Sequence, residues 1–104
     1  MKVILATCPT DEVKALARQL VASGLAACVN LIPTATSIYS WEGSVIEDEE
    51  SLMLIKACDT ALEPLRKEFT RLHSYEVPEF VVLEVSDVDC SPDYLAWVNR
   101  FKPI

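Results

Sequence analysis

The chain has 104 residues, 51% of them hydrophobic, with only 2 glycines, which predicts a single folded domain over residues 1–104 rather than a disordered chain. Lys and Arg number 9 against 16 Asp and Glu, a formal charge of −7, so nucleic acid, which is bound through clustered basic residues, is not an expected partner. No apolar stretch approaches the roughly 18 residues of a membrane span, and the N-terminus lacks the pattern of a secretory signal, so we expect a cytoplasmic protein without a membrane partner.

The first two predicted elements are a strand and a helix. Lys2–Thr7 is an apolar run that is short enough for a strand and ends before Pro9. Apolar residues then recur at intervals of three and four, which places them on one face of a helix. Thr10 or Asp11 is the expected N-cap of this helix, and Gly24 is its expected end. The residues of that face are Val13, Leu16, Ala17, Leu20 and Val21.

A long β-hairpin is predicted next. The residues of Ala26–Ser40 favour a strand, although Pro33 cannot donate a ladder hydrogen bond and therefore predicts a bulge or an edge. Glu42-Gly43-Ser44 is a plausible turn, and Val45–Cys58 is the expected returning strand.

The second half of the chain predicts a helix, a strand and a short terminal helix. Thr60-Ala61-Leu62-Glu63 matches a capping box at the start of a helix that ends near His73. Phe80–Val85 is the expected strand, and Ser91-Pro92-Asp93 is typical of a helix start. The order β-α-β-β-α-β-α predicts an α+β, ferredoxin-like split βαβ fold (βαββαβ plus a C-terminal helix), with an antiparallel sheet and helices on one face.

Several sequence blocks resemble the signature blocks of the CutA family in their order and spacing. The resemblance implies a ferredoxin-like fold, a PII-like homotrimer built by pairing sheet edges, and a role in tolerance of copper and other divalent cations. Because the architecture is also similar to that of PII signalling proteins, a small-molecule ligand remains an alternative to a metal. The blocks are Leu25–Asn30, Tyr39–Gly43, Lys56, His73–Glu79 and Tyr94–Trp97.

Metal ligands can be sought from the same resemblance. The copper ligands proposed in relatives are a cysteine at the end of the first strand and two adjacent histidines. Ala6 stands at the cysteine position and Leu72 at the first histidine position, so only His73 matches. Cys8 shares a strand face with Ala6 and could partly substitute for the missing thiol. The candidate ligands for Cu²⁺ or another divalent cation are therefore Cys8 and His73.

The run Glu47-Asp48-Glu49-Glu50 is a second candidate for cations, because hard divalent ions prefer carboxylate oxygens. Only alternate residues of a strand share a face, which leaves two carboxylates on each side. The favoured interpretation is a solvated strand that discourages unwanted edge pairing. In a trimer, however, copies of the run could meet at a shared mouth.

Large aromatic residues in or beside these blocks predict a subunit contact or a binding cleft. Packing at an interface is the favoured interpretation. In the alternative interpretation, the aromatic residues line a cleft between subunits, where Lys56, Glu79 and His73 would contact a small anion or a metal. Lys56 could instead pair with Glu79. The aromatic residues are Tyr39, Trp41, Tyr75 and Trp97, and the candidate ligand-binding residues are Trp41, Lys56, Tyr75 and Glu79.

The cysteines do not indicate an enzyme. Cys8, Cys28, Cys58 and Cys90 form no C-x-x-C pair and are expected to be reduced and buried. Cys28 with His73, the only histidine, would be a nucleophile and its base, but a buried cysteine on a strand is more often inert. We therefore expect a non-enzymatic protein, with a small hydrolase that uses Cys28 and His73 as the alternative.

Overall fold

The computed structural model of the chain describes residues 1–103 and confirms the predicted order of elements. None of the helices in this range is long and apolar enough to cross a membrane. The strands are β1 (Lys2–Cys8), β2 (Cys28–Trp41), β3 (Ser44–Ala57) and β4 (Phe80–Glu84), and the α-helices are α1 (Val13–Ala22), α2 (Leu62–Leu72) and α3 (Pro92–Val98). Short 3₁₀ turns occupy Asp59–Ala61 and Asp87–Asp89.

The strands form one antiparallel sheet in the order β2-β3-β1-β4. The connection from β1 through α1 to β2 passes over β3, and the connection from β3 through α2 to β4 passes over β1. Two interleaved βαβ units of this kind make the ferredoxin-like arrangement. The predicted fold class is therefore confirmed.

The main core lies between one face of the sheet and the helices α1 and α2. Alternation along β1 turns Ile4, Ala6 and Cys8 inward, and each of them is at most 1% exposed. The buried stripe of α1 includes Leu20, and that of α2 includes Phe69, both completely buried. The helical spacing seen in the sequence is thus what attaches both helices to the sheet.

Helix α3 belongs to a separate, smaller apolar cluster. Its buried residue Val98 packs with Met1 and Ala27, and the half-buried Leu95 and Phe101 join them. As predicted, the side chain of the N-cap residue Ser91 accepts a hydrogen bond from the amide of Tyr94, at 3.5 Å, and Pro92 opens the helix. This cluster holds the C-terminal segment against the end of the sheet where the N-terminus lies.

The β2–β3 hairpin forms a long arm with one bulge and a tight turn. The register shifts between Ile32 and Ala35, where Pro33 was expected to interrupt the ladder. Its carbonyl instead accepts a hydrogen bond from the buried hydroxyl of Ser51, at 2.8 Å. At the tip, Glu42 and Gly43 both have positive φ, 50° and 83°, which is the geometry of a two-residue type I′ turn.

Two predicted helix caps are wrong. Neither Thr10 nor Asp11 caps α1, because the amides of Glu12 and Val13 bond to the carbonyl of Pro9. The capping box at Thr60 is not formed, because a 3₁₀ turn precedes α2 and moves its N-cap to Ala61. Competing backbone turns therefore satisfy the amides that the side chains were expected to cap. The predicted end of α1 is confirmed by Gly24, whose φ is 76°.

Candidate functional site

A cavity of about 600 Å³ lies where the β2–β3 arm meets the loop between α2 and β4. We call it the arm pocket. Its volume is within the usual range of small-molecule sites, roughly 300 to 1,000 Å³. Its walls come from β2 (Ser37, Ile38, Tyr39, Trp41), β3 (Asp48, Glu50), the loop (Tyr75, Glu76, Val77, Glu79) and β1 (Thr7).

The charged side chains that line the arm pocket are all acidic. They are Asp48, Glu50, Glu76 and Glu79, and no basic side chain among residues 1–103 lines the cavity. Partial burial raises the pKa of the Glu79 carboxyl, and the charge of Glu50 raises it further. Four carboxylates with no basic side chain beside them favour a cation, and of the four only Glu50 is buried while the other three are exposed.

Alternation along β3 explains why only half of the acidic run reaches the pocket. Asp48 and Glu50 face the cavity, whereas Glu47 and Glu49 alternate with them on the opposite, solvent-exposed side of the strand. Glu50 is only 6% exposed. The favoured interpretation of the run as a solvated strand is therefore wrong for Glu50, whereas Asp48, like Glu47 and Glu49, is exposed.

Two tyrosines hydrogen bond to these carboxylates. The hydroxyl of Tyr75 donates to Oε1 of Glu50 at 2.9 Å, and the hydroxyl of Tyr39 donates to Oδ2 of Asp48 at 2.6 Å. Burial, followed by the bond to Glu50, raises the pKa of Tyr75, and the bond to Asp48 raises that of Tyr39. Both phenols therefore stay protonated and donate at neutral pH, which fixes the carboxylates against the aromatic wall.

Three of the four predicted ligand-binding residues come together in the arm pocket. Trp41, Tyr75 and Glu79 all line it. Lys56 does not, because it lies opposite Val3 near the other end of β3, six residues beyond Glu50 and so roughly 20 Å away along the strand. Within residues 1–103, no ion pair joins Lys56 to Glu79.

The predicted metal ligands Cys8 and His73 border a second, smaller cavity of about 330 Å³, together with Asp11 and Glu12. The ring of His73 is already engaged on both sides. Its Nδ1 accepts a hydrogen bond from the amide of Tyr75, at 3.1 Å, so its Nε2 donates to the carbonyl of Thr7, at 2.8 Å. A metal at either nitrogen would have to displace one of these bonds.

The thiol of Cys8 is also poorly prepared for metal binding. Burial raises its pKa to about 11, with the charges of Glu12, Asp11 and Glu50 adding to the effect. The thiolate is the form that binds metals, and little of it exists at neutral pH with such a pKa. Across residues 1–103, no group of three or more His, Cys, Asp or Glu side chains is arranged to hold a metal ion.

The alternative catalytic pair is not brought together. Both ring nitrogens of His73 bond to backbone groups of Thr7 and Tyr75, and the thiol of Cys28 has the side-chain oxygen of Asn30 at 4.0 Å as its neighbour. Cys28 consequently lacks the base that a nucleophilic cysteine needs within hydrogen-bond reach.

Sequence searches relate the chain to divalent-cation tolerance proteins. Residues 2–100 match the family model described as CutA1 divalent ion tolerance protein. The chain is 43% identical over 100 residues to the divalent-cation tolerance protein CutA of Thermus thermophilus, covering 95% of each sequence. It is 49% identical over 96 residues to protein CutA of Mus musculus, but spans only about half, 52%, of that longer sequence.

Solved structures give the same relationship. The PII-like protein CutA from Nostoc in its apo form superposes with a TM-score of 0.93 at 37% identity, covering 96% of this chain and 95% of that one. The Thermus thermophilus divalent cation tolerance protein superposes with a TM-score of 0.90 at 40% identity, covering 97% and 98%. The whole fold, including the arm that carries the pocket, is therefore shared with these proteins.

Proposed function

The chain belongs to the CutA1 family of divalent ion tolerance proteins, and from this premise we propose that it acts in divalent cation tolerance as a homotrimer that binds a cation at the arm pocket. The observation that carries the proposal is the lining of four carboxylates with no basic side chain among the described residues. A neutral or anionic ligand would leave that charge unbalanced, whereas a divalent cation neutralises half of it.

The arm pocket supplies the ligand type that hard divalent ions prefer. Asp48 and Glu50 project from the same face of β3, and Glu79 reaches the cavity from the loop. Carboxylate oxygens suit Mg²⁺, Ca²⁺ and Mn²⁺, whereas Cu²⁺ gains most from added nitrogen or sulfur ligands. We therefore expect the pocket of a single chain to bind divalent cations with little preference for copper.

An oligomer is supported by the outer face of the sheet. Val81 and Leu83 are 45% and 44% exposed, and they flank Leu5 and Val3 on the face away from α1 and α2. An apolar sheet face of this kind is costly in water and typical of a subunit contact. In a PII-like trimer the arm pocket would open towards a neighbouring chain, which would add ligands to the cleft.

Copper binding by Cys8 and His73 is a separate proposal. Its support is their position on one cavity beside Asp11 and Glu12, and the proximity of an imidazole and a thiol, both of which copper favours. Binding there requires that the thiol lose its proton and that His73 give up a backbone hydrogen bond. We therefore propose it as a weaker site than the arm pocket.

A PII-like small-molecule role is the second candidate function. It is supported by the size of the arm pocket and by the rings of Tyr39, Trp41 and Tyr75 in its wall, which can contact an organic cation through their faces. The acidic lining disfavours nucleotides and other anions. In either role we propose a non-enzymatic protein, because neither cavity holds a nucleophile beside a free base.

We propose a cytoplasmic location on the basis of the thiols. Cys8, Cys28, Cys58 and Cys90 are all free, as is usual in reducing compartments. A relative from Arabidopsis thaliana is named as chloroplastic. Fractionation of cells that express the tagged protein tests the location, and recovery in an organelle fraction would contradict it.

Calorimetric titration tests the cation proposal. Mn²⁺, Zn²⁺ and Cu²⁺ are titrated into the wild type and into Glu50→Gln and Glu79→Gln, with Glu47→Gln as the matched control on the opposite face of β3. We expect about a tenfold loss of affinity in both pocket variants, equivalent to one weakened charge contact of about 1.4 kcal/mol, and none in the control. Equal affinity in all four proteins would refute the pocket as the site.

Two further measurements complete the test. A His73→Ala variant that loses Cu²⁺ affinity but keeps Mn²⁺ affinity would support the second site at Cys8. Light scattering coupled to size exclusion is expected to give the mass of three chains. A monomer mass at micromolar concentration would contradict the homotrimer.

A further inference from the structure

The thiol of Cys58 lies in a polar cluster at the end of the sheet opposite the tip of the arm. Its Sγ is 3.3 Å from the hydroxyl of Thr60 and 3.4 Å from the ammonium nitrogen of Lys102. Lys102 also contacts the hydroxyl of Thr60, at 3.4 Å. Nothing in the proposed cation function uses this cluster, which joins the end of β3 to the segment that follows α3.

The charges around Cys58 favour its thiolate. Burial opposes ionisation, but hydrogen bonds from the hydroxyl and the amide of Thr60 and from Lys102 outweigh it and lower the pKa of the thiol. The negative charge of the neighbouring Asp59 carboxylate is balanced by the α-amino group of Met1, whose nitrogen lies 3.0 Å from Oδ1 of Asp59. The thiolate is the form that reacts with peroxides.

The other cysteines provide internal comparisons. Burial and three nearby carboxylates raise the pKa of Cys8 to about 11. Cys28 and Cys90 are half-buried. The sulfur of Cys28 has the side-chain oxygen of Asn30 and the side chain of Tyr94 as neighbours, and the sulfur of Cys90 has the carbonyl of Ser86. Cys58 is the cysteine with a cation in contact.

We propose that Cys58 and Lys102 form a reversible, peroxide-driven sulfur–nitrogen cross-link. Hydrogen peroxide transfers one oxygen to the Cys58 thiol, which becomes a sulfenic acid while the peroxide is reduced to water. The nitrogen of Lys102 then attacks the sulfur, the sulfur–oxygen bond breaks, and the hydroxyl leaves as water. Before this attack the Lys102 ammonium loses one proton to solvent, which frees the lone pair of its nitrogen; the departing hydroxyl then takes a second proton from that nitrogen, which leaves a sulfenamide.

The cross-link has a definite structural consequence. It ties residue 102 to residue 58 and so closes a loop that contains α2, β4 and α3. Val98 and Phe101 already pack against Met1 at this end of the sheet, so the bond holds α3 in place rather than moving it. A small thiol reverses the reaction by attacking the sulfur and releasing the amine.

Peptide mapping by mass spectrometry tests the proposal on the reduced protein treated with hydrogen peroxide. In the wild type we expect a peptide pair joined through Cys58 and Lys102, lighter than the separate peptides by two hydrogen atoms and released by dithiothreitol. In Lys102→Gln we expect loss of the pair and trapping of a Cys58 sulfenic acid by dimedone. Lys67→Gln, which changes a lysine that is 72% exposed on α2, is expected to keep the pair.

A second readout follows the fold. Amide hydrogen exchange within α3 is expected to slow in the oxidised wild type and to recover after dithiothreitol, with no change in Lys102→Gln. Two results would overturn the proposal. One is consumption of Cys28 or Cys90 by peroxide before Cys58, and the other is full oxidation of Cys58 without a bond to Lys102.

Discussion

The bond between Tyr75 and Glu50 should contribute strongly to stability, and the change Tyr75→Phe isolates it. Glu50 is 6% exposed, and the Tyr75 hydroxyl donates to it at 2.9 Å. Removal of the hydroxyl leaves a buried carboxylate without that donor. Hydrogen bonds to charged groups contribute about 1.5 to 3 kcal/mol, so we expect a loss of about 2 kcal/mol in the free energy of unfolding.

Tyr39→Phe is the matched control. It removes the same hydroxyl from a bond of 2.6 Å to Asp48, but both partners are exposed and water can replace the donor. The expected loss is about 0.5 kcal/mol or less. Urea unfolding at pH 7 and at a fixed protein concentration provides the measurement, because the stability of an oligomer depends on concentration.

A double-mutant cycle decides whether the lost energy belongs to the bond. In Glu50→Gln the residue stays polar but loses its charge, so the effect of Tyr75→Phe should fall to about 1 kcal/mol or less in that background. If Tyr75→Phe costs no more than Tyr39→Phe, or costs the same in both backgrounds, then Glu50 is satisfied by other groups and the reasoning is refuted.

Four other substitutions test the pocket, the arm and the core. The raised pKa of Glu79 means that ionisation of this carboxyl opposes folding, so the free energy of unfolding should fall as pH rises through that pKa. Glu79→Gln should abolish this part of the pH dependence of the urea midpoint. An unchanged pH profile in the variant would contradict the raised pKa. At the arm tip, Glu42 has a φ of 50°, and Glu42→Asn should stabilise the protein by about 0.5 kcal/mol because Asn tolerates this region better. Gly43→Ala adds a methyl group that meets no atom within 4 Å, so its expected cost of about 1 kcal/mol comes from backbone strain alone. Urea midpoints measure both changes, and equal midpoints would argue against the I′ turn. Phe69→Ala leaves a cavity at a completely buried site and should lower the free energy of unfolding by about 3 to 5 kcal/mol. The same urea unfolding curves measure this loss, and a loss below about 1 kcal/mol would indicate that the core collapses into the space.

The fold was predictable because its signals are local and repeated. The spacing of the apolar residues in α1, the interruption at Pro33 and the turn at Gly43 each depend on a few neighbouring residues. The two wrong caps show the limit of this reasoning, since Thr60 fits a capping box by spacing but a 3₁₀ turn shifts the helix start to Ala61. Spacing alone does not decide which of two competing backbone turns wins.

The site was predictable only in part, for a different reason. Trp41, Tyr75 and Glu79 were identified through sequence blocks, but Asp48 and Glu50 also line their cavity. Strand alternation shows that Asp48 and Glu50 share one face of β3, but it does not show which face that is. The decisive partner of Glu50 is Tyr75, 25 residues away along the chain. No local sequence pattern predicts a contact between residues so far apart in the chain. Lys56 also belongs to a shared sequence block, but within one chain it lies opposite Val3, roughly 20 Å along β3 from the arm pocket.

The geometry of the arm pocket also bears on which cations the proposed function would serve. Among residues 1–103, the carboxylates do not converge into a coordination set, so a single chain attracts positive charge without imposing a coordination geometry. Selectivity among metals requires a fixed ligand number and type, and attraction by unconverged carboxylates is weak and screened by salt. Such a pocket distinguishes cations by their charge more than by which metal they are. On the proposed function, selectivity for one metal would therefore have to come from ligands that the neighbouring chain adds to the cleft.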